Sequence, residues 1–421
     1  MKKFYSLLQT CLMFALMNVG NAQNVVNNGN GIVINNGAWL VIGGSFLNHT
    51  SAQDGFVDID GKMVVHRDFV NNSAGEVFIN QEVVPDGEVI LNGNLVQNIS
   101  GTTSTRFENL TIRNSRKILH TDFCQVSGVL LVQAILELNS NTFVIDNPMP
   151  LGITYQSGYI LGETTPAQGL GIISWSIGSS AGNYSVPFGS GNDTGKDLEL
   201  VLQKTAGGSV DGFYNFSTYP TMQMNMPFPP SISSLSPFDP EQTVDRFWLV
   251  EPYYVSVPSA SIVFKYDYPS ALGIDRKTLK AIRYNRNGGM WNDWGPSGDS
   301  DPVGLTVATP LVSSADFHAW WTLTGEEVAE YVYIPNAFSP NQDGYNDEFR
   351  PFISGYEPDD YVFYIYDRWG KELFRSNDLY KGWDGTHNNT PCKQDVYVWY
   401  VLYSDMAGKM NSQNGVVTLV K

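Results

Sequence analysis

The sequence predicts an all-β protein: an N-terminal short parallel β-helix, a middle β-sandwich and a small C-terminal β-sandwich. Three observations carry that prediction. Short runs of β-branched and aromatic residues in near alternation with polar ones recur along the chain, and no apolar period of helical type outlasts two turns. The chain's 40 glycines, many in Asn-Gly or Asp-Gly pairs, punctuate those runs.

The N-terminus is expected to be removed. Lys2 and Lys3 precede an apolar run from Leu7 to Val19, and the small residues Gly20 and Ala22 stand before a cut ahead of Gln23, so residues 1–22 read as a signal peptide. The run is shorter than a membrane span requires. Cys11 lies inside it rather than after it, which argues against a lipid anchor. About 400 residues remain, enough for two to four domains.

Residues 23–146 hold an internal repeat. Aligning GAWLVIGGSFLN with GKMVVHRDFVN puts Phe46 over Phe69 and Asn48 over Asn71, and GNLVQN at Gly93 reads as a looser third copy. Asn-Gly or Asp-Gly pairs at Asn30, Asn36, Asp54, Asp60, Asp86 and Asn92 separate the strands. Such pairs serve either as hairpin turns of an antiparallel sheet or as corners of a coiled parallel sheet. Like residues at equivalent sites favour the second, because a solenoid stacks them on one another; the reading is a β-helix of about five coils, capped by its first strand and by the following domain.

Residues 147–325 continue in short strands: SGYILGE, LGIISWSIG, DLELVLQK, DRFWLVE, SIVFKYDY and HAWWTLTG. The Pro- and Ser-rich stretch MPFPPSISSLSPFDP interrupts them. Similar strands on both sides make it a long loop across one sandwich rather than a linker. Trp320 and Trp321 are adjacent, so in a strand they face opposite ways.

Residues 331–421 form a separate β-domain. VYVWYVLY and the closing VVTLV read as strands, while Asp367-Arg368-Trp369-Gly370 and Trp383-Asp384-Gly385 place glycine after large residues, as tight turns require. In that reading each indole covers the core edge and Arg368 and Asp384 hold the turns. The stretches NAFSPNQDGYNDEF, YIYDRWGKELF, GWDGT, DVYVWYVLYSDMAGK and GVVTLVK together resemble the type B, or gliding motility-associated, C-terminal sorting domain of cargo exported by the type IX secretion system of Bacteroidota. The matching motif positions are Asn336, Phe338, Ser339, Pro340, Asp343, Gly344, Asp347, Arg368, Trp369, Gly370, Trp383, Asp384, Gly385, Gly408 and Lys409. The resemblance implies a small β-sandwich that directs cargo through the type IX translocon, with retention outside by a PorP/SprF-like outer-membrane anchoring barrel. In the middle region, GYILGE, YSVPFG and DRFW are similar to a module common in surface proteins that carry this tail, which brings no established activity.

Composition narrows the function. With 25 basic against 42 acidic residues the formal charge is -17, without a basic cluster, so nucleic acid is not an expected partner. Cys124 and Cys392 lie in different domains, which argues against a disulfide framework. His49, His66, His120, His318 and His387 show no zinc-site spacing, and no nucleophile elbow, P-loop or dinucleotide motif occurs. Asp58, Asp60, Asp68 and Glu76 are the acids a β-helix lyase or hydrolase would need on one face, and solvated turns explain them equally. Asn341, Asp343, Asn346 and Asp347, with Glu348, are a weak calcium candidate against a run of Asx turns. Trp291 and Trp294, in the Gly-rich stretch NGGMWNDWGPSGDSD, are the candidate ligand-binding residues, as an exposed sugar-stacking pair. The leading expectation is a non-enzymatic adhesin or structural surface protein without a cofactor; a carbohydrate-binding module comes second and a glycan-cleaving enzyme third.

Overall fold

The computed structural model describes residues 23–79, 86–164, 167–191, 197–205, 211–267, 269–271, 273–286, 288–293, 300–317, 319–325, 331–341, 346–354, 358, 360–404 and 409–420. The expected signal peptide, residues 1–22, lies outside them. The protein is all-β, and the described helical pieces are single 3-10 turns such as Pro150–Gly152. No described helix is long and apolar enough to cross a membrane.

The N-terminal half is a parallel solenoid of about six turns, against the five coils expected. One wall stacks Val25–Asn28, Phe46–His49, Phe69–Asn72, Gln97–Gly101, Lys117–Leu119, Leu136–Glu137 and Ile160–Leu161. A second stacks Trp39–Ile42, Lys62–Val65, Glu88–Leu91, Asn109–Ile112, Leu130–Val132 and Ile153–Tyr155. The third runs through Gly31–Ile34, Phe56–Ile59 and Phe78–Ile79, and later through Thr105–Phe107, Phe123–Val126, Thr142–Ile145 and Ile172–Trp175. Strands this short bury little alone; stacking gives every inward residue a neighbour above and below. The Asn-Gly and Asp-Gly pairs are corners; Gly37 takes φ +77° with open space around it, whereas glycines such as Gly61 and Gly87 are there for proximity between coils. A Cβ on Gly61 would lie 2.4 Å from the Ala38 carbonyl oxygen, and one on Gly87 would lie 2.1 Å from that of Ile59.

Phe46 pairs with Phe69 and Asn48 with Asn71, in the register that the repeat predicts. The rings lie 5.4 Å apart, and Phe107, from the third wall, meets Phe69 across the core at 5.3 Å. Beside them runs a buried amide ladder. Asn27 Nδ2 donates to Asn48 Oδ1 (3.0 Å), Asn48 Nδ2 to Asn71 Oδ1 (3.3 Å), and Asn71 Nδ2 to the Ser104 carbonyl (3.2 Å). GNLVQN is not the third copy: Leu95 and Val96 are exposed at a corner, and Ile99 takes the place over Phe69. Gly101 then falls over Asn71, where a Cβ would meet the Asn71 carbonyl oxygen at 1.9 Å, so the ladder stops. Gln97 and Lys117, paired in register, plug the next corner, with Gln97 Nε2 on the Val65 carbonyl (3.0 Å) and Lys117 Nζ on those of Arg113 (2.6 Å) and Ser115 (2.7 Å). Burial pushes the Lys117 ammonium down to about 8.

Parallel pairing does not stop at the expected boundary after Asp146. It continues to Ile172–Trp175, which then pairs antiparallel with Gly212–Pro220, so the third wall becomes the first strands of a nine-stranded sheet. That sheet goes on through Arg246–Tyr254, Trp320–Thr324, Lys280–Asn285 and Met290–Asp293. A five-stranded sheet, from Gly182–Val186 to Ser300–Asp301, packs against its inner face through contacts such as Trp248 to Phe264 (5.2 Å). One contiguous core runs from Ile34 to Leu323, and the sandwich thereby caps the last coil. Across the join, buried Arg246 reaches Glu163 at 2.8 Å. The Pro-rich stretch is a loop of the sandwich: Ile232 and Leu235 are buried on the outer face of the nine-stranded sheet, with Phe247, Trp291 and Trp320. Trp320 and Trp321 do face opposite ways, and both are buried.

The C-terminal domain has its own core. Its five-stranded sheet orders Ala337–Phe338, Met410–Leu419, Val396–Ser404, Tyr361–Tyr366 and Glu372–Ser376; a two-stranded sheet, Tyr331–Tyr333 with Phe352–Ser354, contributes Val332 and Ile353 to the packing around that core.

The amide ladder yields a stability prediction. Asn48→Ala strands donors or acceptors of Asn27 and Asn71 in the core, and should destabilise the solenoid by about 2 kcal/mol, whereas exposed Asn28→Ala should change it by less than about 0.5 kcal/mol. Urea denaturation followed by tryptophan fluorescence measures both.

Candidate functional site

Two regions concentrate features beyond packing: the turns of the C-terminal domain and the outer face of the nine-stranded sheet.

In the C-terminal domain the sorting-motif residues close the structure on itself. The Thr418 amide donates to the Asn336 carbonyl (2.9 Å), and Phe338 pairs with Leu419, so the last strand is fixed by the first motif. Phe338 packs on Trp383 at 5.3 Å and Phe349 at 5.8 Å. The Ser339 amide donates to the Asn346 carbonyl (2.9 Å), and Pro340 lies against Gly385. Asp384 Oδ1 accepts from the amide (2.9 Å) and hydroxyl (2.8 Å) of Thr386, while Trp383 Nε1 donates to the Thr386 carbonyl (2.8 Å). Arg368 pairs with the carboxylate of Asp395, which the Val396 amide, and then Arg368, holds below the usual carboxylate range. Gly370 and Gly385 have φ of +82° and +75°, the left-handed turn conformation expected of them.

The two indoles differ from expectation. Trp383 is fully buried, but Trp369 is 87% exposed and covers no core edge, because Asp367 draws the turn outward by accepting from the amides of Trp369 (2.8 Å) and Lys371 (3.0 Å). Lys409 is exposed; Asp343, Gly344 and Gly408 lie outside the described residues. Of the calcium candidates, Asn346 adopts φ +54°, and the neighbouring Glu348 accepts from the Gly382 amide (3.2 Å). No three His, Cys, Asp or Glu side chains converge as a metal group among the described residues. The β-helix acid Asp68 ties two coils together by accepting from the amide (2.7 Å) and side chain (3.0 Å) of Asn98. Cys124 is buried, and desolvation raises its thiol pKa; Cys392 is half-buried, and neither is in a disulfide.

The expected sugar platform at Trp291 is overturned. Trp291 is 1% exposed in strand Met290–Asp293, stacked on Phe247 at 5.6 Å, and its Nε1 donates to the Ser234 carbonyl (2.9 Å) of the Pro-rich loop. The glycines around it mark the hairpin and not the strand, and Trp294 lies outside the described residues.

Below that covered half, the same face is open. Phe247, Leu249, Glu251 and Tyr253 alternate along one strand: the loop packs over Phe247, and Leu249, Glu251 and Tyr253 border a groove of about 640 Å³ with Asn215, Tyr284, Arg286 and Trp320. Leu170, Ile172 and, from the loop, Pro230 to Ile232 wall its apolar end. Glu251 accepts from Arg286 (2.9 Å) and from the Tyr253 hydroxyl (2.8 Å). Burial, then that bond to Glu251, raises the Tyr253 pKa. Sequence reading missed this groove. Its signal was the period-2 switch from apolar to polar-aromatic within RFWLVEPYY, which places Glu251 and Tyr253 on the face of Phe247.

A modular all-β protein with a separately cored C-terminal domain is the class these features define. Residues 332–419 match the CHU_C Type IX secretion signal domain, so the chain carries the C-terminal sorting domain of Bacteroidota type IX cargo. No curated protein matches the chain.

The buried indole gives a direct test. Trp291→Ala should cost about 3 to 5 kcal/mol and free the Pro-rich loop, read as a lowered melting temperature with new proteolytic cleavage within residues 226–240.

Proposed function

We propose that this protein is a non-enzymatic component of the cell surface, an adhesin or structural element, delivered by the type IX system and held outside by an outer-membrane anchoring barrel. The observation that carries the reading is the C-terminal domain: it matches the secretion signal family and has a core of its own. Type IX cargo is exported to the cell surface or beyond, and engages that system on the way. In this reading residues 1–22 act as the signal peptide for the first membrane, and the C-terminal domain serves the second.

The remaining modules support a presenting role. A solenoid fused to a sandwich holds its distal groove on a continuous sheet, as a surface display requires. The reading assigns no catalysis and no cofactor: Asp68, one of the β-helix acids, is engaged in a coil-to-coil bond.

Deleting residues 331–421 should leave the folded remainder in the periplasm, and fusing those residues to an inert reporter should send it outside. Protease shaving of intact cells measures both, and normal surface recovery of the truncated chain refutes the assignment.

A further inference from the structure

The open half of the outer face carries a chemistry that packing does not require. We infer that this groove binds a neutral oligosaccharide, with Tyr253 and Tyr284 as stacking surfaces and Glu251, Arg286 and Asn215 as hydroxyl partners. The inference rests on the surface-protein reading above and names what that surface would hold.

Tyr253 is 47% exposed, yet its ring already lies on Phe213 at 4.7 Å and 19°, so a flat apolar face is oriented before any ligand arrives. Tyr284 is held edge-on to buried Trp291 at 5.6 Å. A pyranose offers C–H groups on its faces, which stack on such rings, and hydroxyls around its rim, which both donate and accept. The rim partners are at hand. Glu251 is fixed by Arg286 and Tyr253 and keeps lone pairs for hydroxyl donors. The Arg286 side chain is 57% exposed, leaving guanidinium donors toward the groove mouth. Asn215, opposite Glu251 in the ladder, supplies an amide that donates and accepts.

Charge selects among sugars. Glu251 and Arg286 neutralise one another, and the chain as a whole carries -17, so an anionic polysaccharide meets no unneutralised cation in this pair and a repelling field, whereas a neutral one meets neither obstacle. The volume of about 640 Å³ falls within the span of roughly 300 to 1,000 Å³ usual for small-ligand sites.

The test is calorimetric titration of the full chain with cellohexaose, laminarihexaose, xylohexaose and mannohexaose, each to about 5 mM, a range that captures affinities down to the millimolar level. Saturable binding of at least one is expected, weakened about tenfold or more by Tyr253→Ala and by Arg286→Ala and unchanged by Tyr333→Ala, an exposed tyrosine of the C-terminal domain. Melting temperatures confirm that the variants fold. Absence of saturable binding to all four sugars, or equal affinity in Tyr253→Ala and Arg286→Ala, overturns the inference. Surface delivery of the same variants is scored in parallel: failed sugar binding with normal delivery rejects the groove alone, and failed delivery of the wild-type chain rejects the surface reading itself.

Discussion

Register between stacked coils is the constraint on which the rest of this structure depends. Each solenoid strand has only two to five residues, so its own pairing is weak, and position is set by what lies directly above and below. The Phe46–Phe69 column and the Asn27–Asn48–Asn71 ladder act together here. A slip of one residue would point both at solvent and bring polar outward residues into the core. The amides add a directional penalty that the rings lack, because a misplaced buried amide loses its partner. Where the ladder ends, Gly101 removes the side chain altogether, and the corner plugs Gln97 and Lys117 take over the work of satisfying buried carbonyls.

Much of this was legible in the residues. Phe46 over Phe69 and Asn48 over Asn71 followed from a repeat of like side chains, since a solenoid makes equivalent positions physical neighbours. The same logic failed at GNLVQN, where the repeat lengthens: corner insertions change the spacing without changing the wall, so Ile99 and Gly101 carry the register with no side-chain likeness to announce it. The domain boundary was misplaced for a related reason. Asp146-Asn147-Pro148 looks like a linker, yet it is one more corner, and strand pairing that crosses it leaves no local trace in composition.

Site residues were legible only where conformation dictates chemistry. Gly370 and Gly385 announced left-handed turns, and Asp384 announced a side chain bonded to its own turn. Trp291 did not announce its burial, because the cover comes from Ser234 and its neighbours, about 57 residues earlier in the chain. Exposure of an aromatic ring is a tertiary property. Tyr253 and Trp369 are open and Trp291 and Trp383 closed, although all four stand near turn-forming residues.

The unbroken third wall has a mechanical consequence. Since Ile172–Trp175 belongs both to the last coil and to the nine-stranded sheet, bending the solenoid against the sandwich would require shearing a hydrogen-bonded ladder rather than flexing a tether. The groove's heading is therefore set by the last coil, as a gaff's hook is set by the end of its pole.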